Sequence, residues 1–243
     1  MKVRKVLFSM LLCAVVLPVQ AQLFKGEAIA GFNLSQVDGD EVYGFSKLGA
    51  NAGMGVMLPL RFKGREDTPW SLSMEMLWHQ KGSYRKNYTN TNFCDTCPPE
   101  IPCDSTIKYR LDMHYVSLPI MLHYTDARSG WTFGAGVSYN RLFHLREIEN
   151  GIETASALSA SPYSLTDYSL VFDLRFRICQ RLKFNFRYEY SFVPIRIRTF
   201  YKPKFGQYDA EPWDRKQYHN ILTFRLICVF NEAADPADRR EKP

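Results

Sequence analysis

Residues 182–192 read LKFNFRYEYSF, and they alternate an apolar or aromatic side chain with a polar one throughout. Side chains two residues apart lie on the same face of an extended strand, whereas a helix would mix the two sets around its surface. One face would carry six Leu, Phe and Tyr side chains, and the other would carry Lys183, Asn185, Arg187, Glu189 and Ser191. The stretch therefore predicts a β-strand with one apolar and one charged face.

The same period of two returns along the chain on both sides of this stretch. It covers residues 27–35, 48–61, 70–79, 108–124, 131–140, 167–178 and 218–230. Together with 182–192 these segments predict eight strands. In the segment 108–124 the apolar positions change parity between Tyr115 and Val116, shortly before Pro119. A bulge shifts the strand face by one residue and accommodates a proline, so we expect a β-bulge in this strand.

The predicted connections alternate in length. Those after the first, third, fifth and seventh strands are long, at 36–47, 85–106, 148–163 and 198–215, and those after the second, fourth and sixth are short, at 62–69, 125–130 and 179–181. Long loops outside and tight turns in the periplasm are typical of outer-membrane barrels. The fold class predicted is all-β, an eight-stranded antiparallel up-and-down transmembrane β-barrel with both mature termini in the periplasm.

The composition of the two faces separates a membrane barrel from a soluble one. A soluble eight-stranded barrel of the lipocalin type would place its apolar face inside, but that interior is too narrow for so many aromatic rings. We therefore expect the aromatic face to contact lipid and the charged face to fill the lumen. Candidate members of the interfacial aromatic girdles are Trp70, Tyr124 and Trp131 at the periplasmic rim and Tyr84, Tyr168 and Tyr218 at the outer rim.

The N-terminus has the layout of a secretory signal peptide. Cationic residues Lys2, Arg4 and Lys5 precede an apolar run and a small-residue site, which predicts a cleaved signal at 1–21 with cleavage between Ala21 and Gln22. The barrel is expected over 22–230, followed by a polar periplasmic tail at 231–243. Removing the three signal cations takes the net charge from +6 to +3, which is not the footprint of a nucleic-acid-binding protein.

Two short motifs resemble a known family. The segments GFNLSQ at 31–36 and YVSLPIMLHY at 115–124 resemble the opening strand and the proline-containing strand of the PorT-like outer-membrane β-barrel proteins of Bacteroidetes. The resemblance implies an accessory role in type IX protein secretion, which exports proteases and adhesins, and implies other secretion-machinery proteins as partners. Outer-membrane lipid is the other expected partner, and neither a cofactor nor a small-molecule substrate is expected. The alternative is a structural or adhesive OmpA-type surface barrel.

The cysteines of the second long connection, Cys94, Cys97 and Cys103, invite a metal or redox interpretation. A zinc site would need a second cysteine pair at suitable spacing, so a loop disulfide in an oxidising exterior is the favoured hypothesis, with its pairing open. Such cysteines are not part of the family pattern. No metal site is predicted.

The charged residues expected on the inner face have a structural and a functional interpretation; they are Glu75, Asp112, Asp173, Arg175, Arg177, Lys183, Arg187, Glu189 and Arg225. They could line a pore, but eight strands leave an interior that side chains fill, so a salt-bridged polar plug is favoured. The five histidines and the serines could belong to a lipid-modifying enzyme, yet no spacing assembles a nucleophile, base and orienting acid. The sequence therefore predicts a non-catalytic protein with no catalytic residues.

Overall fold

The structure is a computed structural model, and it describes residues 24–40, 44–60, 68–89, 106–126, 128–149, 151–155, 158, 162–202 and 211–230. The predicted signal and its cleavage site at Ala21 and Gln22, the loop cysteines Cys94, Cys97 and Cys103, and the tail at 231–243 lie outside these residues. Those predictions stay predictions.

Ten strand segments follow one another along the chain. They are β1 (Lys25–Asp38), β2 (Lys47–Pro59), β3 (Trp70–Thr89), β4 (Thr106–Thr125), β5 (Thr132–Glu149), β6 (Ile152–Ala155), β7 (Thr166–Cys179), β8 (Leu182–Ser191), β9 (Arg196–Lys202) and β10 (Glu211–Phe230). Each pairs antiparallel with its neighbours in the order β1-β2-β3-β4-β5-β7-β8-β10.

The barrel wall has eight strands, because two of the ten segments do not add a strand of their own to it. β8 pairs with residues 220–228 of β10 and β9 pairs with residues 211–217, so β8 and β9 are two halves of one barrel strand. β6 forms a short hairpin with the end of β5. The wall closes where β1 pairs with β10, from Gly26 opposite Phe230 to Asp38 opposite Tyr218. The predicted closed, eight-stranded, up-and-down barrel is confirmed.

The two ends of the barrel differ. The turn end carries the short connections β4–β5 and β7–β8 together with Lys25 and Phe230, and the loop end carries the long ones. Asp126 caps the β4–β5 turn, because its carboxylate accepts hydrogen bonds from the backbone N–H groups of Arg128 and Ser129 and from the Ser129 hydroxyl. The Ser129 hydroxyl is the main reason that the pKa of this exposed carboxyl is lowered. At the loop end the strands extend further than predicted, since β3 reaches Thr89 and β10 begins at Glu211.

The predicted faces are confirmed except at residues 108–115 of β4, where the apolar side chains point inward. Along β3 the side chains of Met74 and Met76 are each 53% exposed on the outside, while Glu75 between them is 1% exposed on the inside. The same contrast holds around the wall, where Phe133, Phe172 and Phe230 are outside. Trp70 packs edge-to-face on Tyr124 at the turn end, with ring centroids 5.2 Å apart. None of the described segments is a helix of sufficient length and apolarity to cross a membrane.

The predicted bulge near Pro119 is wrong. The β3–β4 ladder has the same register on both sides of the proline, with Met74 opposite Ile120 and Leu77 opposite Ser117. The odd-numbered residues of β4 point inward from Tyr109 to His123, so its face does not shift. The irregularity lies on the next strand instead, where His114 pairs with His144 but Tyr115 pairs with Leu142. Phe143 is the extra residue, and the apolar odd positions of β4 are core residues inside the loop end.

Placing an arginine at the middle of the lipid-facing belt should destabilise the barrel. Ile120 is 49% exposed on the outside and pairs with Met74 and Val137 of the same belt. We expect Ile120→Arg to lower the free energy of unfolding by about 2–4 kcal/mol in vesicles, because the cation must leave water at the bilayer midplane. Urea titration followed by tryptophan fluorescence measures it.

The matched control is Ile152→Arg. Ile152 is 71% exposed on β6, beyond the barrel wall, so the same substitution there should change the free energy of unfolding by less than about 0.5 kcal/mol. Equal effects at the two positions would contradict the placement of the belt.

Candidate functional site: the barrel lumen

The turn-end half of the lumen is built around one carboxylate. Glu75 of β3 accepts hydrogen bonds from three arginines: Arg175 Nη2 at 2.9 Å, Arg187 Nη2 at 3.0 Å and Arg225 Nη1 at 2.8 Å. These arginines come from β7, β8 and β10, across the lumen from β3. All four side chains are almost completely buried. The network therefore ties opposite walls of the barrel together.

Two further carboxylates balance the three arginines. Glu27 of β1 binds Arg175 at 3.0 Å, and Asp173 of β7 binds Arg175 at 3.1 Å and Arg187 at 2.5 Å. Arg225 also donates to the amide oxygen of Asn185 at 2.7 Å. Three arginines facing three carboxylates leave this layer without net charge, which is the condition for keeping ions out of water.

A second polar layer lies above the first. Lys81 of β3 reaches across to Glu189 of β8 at 2.5 Å and to Asp167 of β7 at 3.5 Å. The Asn140 side-chain amide donates to both of these acids at 3.3 Å and to the Ser169 hydroxyl at 3.0 Å. The layer thus joins β3, β5, β7 and β8 across the lumen.

The loop-end half of the lumen is closed by an apolar cluster. Strand residues pack there against Tyr163, Ile195 and the half-buried Leu158 and Leu165, which come from the connections before β7 and before β9; the buried members are Val37, Tyr109, Leu111, Met113, Tyr115, Leu142, Leu145, Tyr163 and Ile195. The interruption between β8 and β9 lets Ile195 turn inward, where it is fully buried. Chain segments from the loops therefore enter the barrel and fill its mouth.

A group of polar side chains centred on Glu147 lies against this cluster. Glu147 accepts hydrogen bonds from the hydroxyls of Tyr109 at 2.9 Å and Tyr163 at 3.1 Å, and Arg196 pairs with it at 3.0 Å. The Arg196 guanidinium also lies over the Tyr163 ring, 4.8 Å from its centroid. Burial raises the pKa of Tyr163 to about 12, so its hydroxyl stays protonated and available as a donor. These contacts with Glu147 hold the two inserted segments against β4 and β5.

The predicted salt-bridged plug is therefore present in the turn-end half of the lumen. The loop-end half is filled by an apolar cluster instead. Of the charged residues predicted on the inner face, the structure brings together Glu75, Asp173, Arg175, Arg187, Glu189 and Arg225. The prediction for Asp112 is wrong: it alternates with the inward Leu111 and Met113 and lies on the outer face of β4, paired with Arg110. Arg177 is exposed and Lys183 is half-buried near the β7–β8 turn. Glu27, Lys81 and the inserted segments were not predicted as parts of the filling, whereas Asn140 lies on the polar face predicted for residues 131–140. The signal for the apolar half was the odd-numbered apolar run of β4, which was interpreted as a bulge.

The geometry offers no open site for chemistry in the described lumen. Ser73 Oγ and His123 Nε2 are 2.7 Å apart, the spacing of a nucleophile and base, but the two residues are 1% and 0% exposed. A substrate cannot reach a pair that is buried in this way. Among the described residues no group of three or more His, Cys, Asp or Glu side chains could hold a metal ion.

A closed up-and-down barrel with an apolar exterior and a charged interior is the architecture of an outer-membrane protein. A family model described as an outer membrane protein beta-barrel domain matches residues 20–196, and the chain belongs to this family. No curated protein sequence matches the chain.

Solved structures of small outer-membrane barrels are similar in fold. Neisserial surface protein A is 9% identical, with a TM-score of 0.43, and the match covers 85% of this chain and 97% of that one. Ail, the attachment invasion locus protein of Yersinia pestis, is 12% identical, with a TM-score of 0.39 and coverage of 85% and 99%. A major outer membrane protein from Thermus thermophilus is 10% identical, with a TM-score of 0.39 and coverage of 85% and 98%.

Removing the charge of Glu75 should destabilise the barrel strongly. Glu75→Gln keeps the size of the side chain but leaves three buried arginines facing two carboxylates, so we expect a loss of about 3–5 kcal/mol in the free energy of unfolding. The control is Glu153→Gln, which breaks the exposed pair with Arg146 and should cost at most about 1 kcal/mol. Urea unfolding in vesicles compares them, and a Glu75→Gln loss no larger than the control's would show that the network does not hold the barrel.

Proposed function

We propose that this protein is a non-catalytic outer-membrane barrel that acts through contacts made by its exterior and its loop end. The observation that carries the proposal is the filled lumen: charged layers span the turn-end half, and inserted loop segments close the other half. A barrel filled in this way offers neither a channel nor an accessible catalytic pair. Its loop end faces the outside of the cell, and both mature termini lie in the periplasm.

We further propose that these contacts serve type IX protein secretion, with the barrel as an accessory component. The support is the resemblance of GFNLSQ at 31–36 and YVSLPIMLHY at 115–124 to the PorT-like barrels. The filled lumen is consistent with an accessory and not with the conduit itself, because an exported chain needs an open path. Its partners would be other proteins of the secretion machinery, met at the loop end, the lipid face or the periplasmic end.

A second candidate is a structural or adhesive surface barrel of the OmpA type. The β3–β4 hairpin favours it, because β3 runs past Tyr84, whose carbonyl still accepts a hydrogen bond from Ser46, on to Thr89 while paired with β4. This hairpin stands beyond the neighbouring β2 and displays the connection that contains Cys94, Cys97 and Cys103. A projecting hairpin is suited to contact a surface outside the cell.

Deleting the gene should separate the two candidates. A secretion accessory predicts that exported proteases and adhesins accumulate in the periplasm and that the wild-type gene restores export. Fractionation and immunoblotting of the cargo measure this. Normal export combined with a loss of adhesion or of envelope integrity would reject the secretion role and support the surface barrel.

A hairpin variant sharpens the comparison. Replacing residues 89–106 by Asn-Gly should leave the barrel intact, because Tyr88 and Ile107 already pair and a two-residue turn can join them. If the hairpin is the adhesive element, this variant restores envelope integrity but not adhesion. If the barrel acts in secretion through its wall or periplasmic end, the variant restores export.

A further inference from the structure

In the described part of the loop end, one side carries four outward-facing cationic side chains and an exposed histidine. Lys108 and Arg110 on β4 and Arg141, His144 and Arg146 on β5 are all exposed, and we call these five residues the β4–β5 basic face. The side chains of Arg110 and Arg146 are 55% and 53% exposed. None of the five takes part in the filling of the lumen.

The strand register places these residues side by side. Arg146 is directly opposite Asp112, so it is diagonal to Arg110, and Arg141 is opposite Val116. Diagonal neighbours on paired strands are about 7–8 Å apart at their backbones, a distance that two arginine side chains close easily. The bulge at Phe143 turns both Phe143 and His144 outward, which widens the face.

The height of this face coincides with the edge of the lipid belt. From Tyr124 to Val116 the outward apolar run of β4 climbs roughly 20 Å along the axis, at about 3.3 Å per residue and a tilt of about 40°. His114 and Arg110 then stand roughly 25 and 35 Å above Tyr124, beside a belt about 25 Å tall. Arg110 and Arg146 therefore lie at the level of lipid headgroups, and Arg141, opposite Val116, lies at the upper edge of the belt.

Aromatic rings mark the same boundary. His114 lies 5.7 Å from Trp78, 6.0 Å from Phe143 and 5.0 Å from His144, measured between ring centroids. Tryptophan and other amphipathic rings concentrate where acyl chains give way to headgroups. This ring cluster lies directly below Arg110 and Arg146, so the basic face begins where the acyl chains end.

The arginines keep most of their donors free of intramolecular bonds in the described part of the chain. Arg110 uses Nε for Asp112 at 2.6 Å, Arg146 uses Nε for Glu153 at 3.3 Å, and Arg141 uses Nη1 for Thr166 at 3.0 Å. A guanidinium has five N–H donors in a fork that fits a phosphate. Asp112 is also paired with Lys47, so its charge does not cancel that of Arg110.

The opposite side of the barrel is different at the same height. There β1, β8 and β10 present Gln36, Asp38, Tyr190, Tyr218 and Asn220. Asp38 accepts a hydrogen bond from Gln36 and contributes a negative charge. Lys216 of β10 is an exposed cation in this sector, so among the described residues the cations are denser on the β4–β5 side, where several adjoin one another, than on the opposite side.

We propose that the β4–β5 basic face binds the phosphate groups of an outer-leaflet glycolipid, with its acyl chains on the apolar wall below. Arg110 and Arg146 hold one phosphate, and Arg141 with His144 holds another along the same edge. The inference uses the proposed orientation of the loop end but not the secretion role. A chain that plays no part in export still binds the lipid if this site exists.

The test uses the full mature protein, folded in detergent and incubated with bisphosphorylated lipid A, followed by native mass spectrometry of the retained lipid. The variant Arg110→Gln/Arg141→Gln/Arg146→Gln should retain at least tenfold less lipid than the wild type. Replacing the same three residues by Lys should give a retention between that of the wild type and that of the triple Gln variant, because the charge remains but the forked donors are lost. Each variant is first checked for a folded barrel by its gel shift on boiling.

The matched control is Arg128→Gln/Arg181→Gln, which removes two exposed arginines at the turn end. It should retain lipid A as the wild type does. The wild type and this control should both retain dephosphorylated lipid A at least tenfold less than bisphosphorylated lipid A, whereas the triple Gln variant should retain the two lipids equally poorly. Equal retention by the triple Gln variant would overturn the site. Equal retention of dephosphorylated lipid would also overturn it, since binding would then rest on the acyl chains alone.

Discussion

The structure depends on the closure of β1 onto β10. A strand edge inside a bilayer would leave backbone N–H and C=O groups without partners, at a cost of several kcal/mol for each group. Thirteen residue pairs join the first strand to the last, from Gly26 with Phe230 to Asp38 with Tyr218. With the wall closed, every strand is left with one face toward lipid and one toward a narrow interior, and the rest of the molecule follows from that division.

The interior then has to be filled without leaving unmatched charge. Glu75 forms ion pairs with three arginines from the opposite wall, and Glu27 and Asp173 supply the two further negative charges that neutralise them. At the other end, segments of the connections before β7 and β9 supply Tyr163 and Ile195 to an apolar cluster. The two fillings differ in chemistry but have the same consequence. These fillings are the basis of the proposal that the protein acts through its loops, its ends and its outer wall.

The strands and their faces were predictable because a period of two is a local property of the sequence. Residues 182–192 alone define their outer and inner sets, and the structure keeps both. The partners of Glu75 were not predictable, since Arg175, Arg187 and Arg225 lie 100, 112 and 150 residues away along the chain. The odd-numbered apolar run of β4 was misinterpreted for the same reason: Ile195 and Tyr163, which cover it, come from remote loops.

The most direct test of the closed barrel uses the native Cys228, whose outward position on β10 lies opposite Ala28 of β1. In the variant Ala28→Cys, mild oxidation in detergent should join the two positions by a disulfide that peptide mass spectrometry identifies. Ala30→Cys is the control, since Ala30 lies opposite Leu226 and two residues from that register. A cross-link at position 28 and none at position 30 is the predicted result; no cross-link at 28, or equal cross-linking at both, would contradict the closure and register of the barrel.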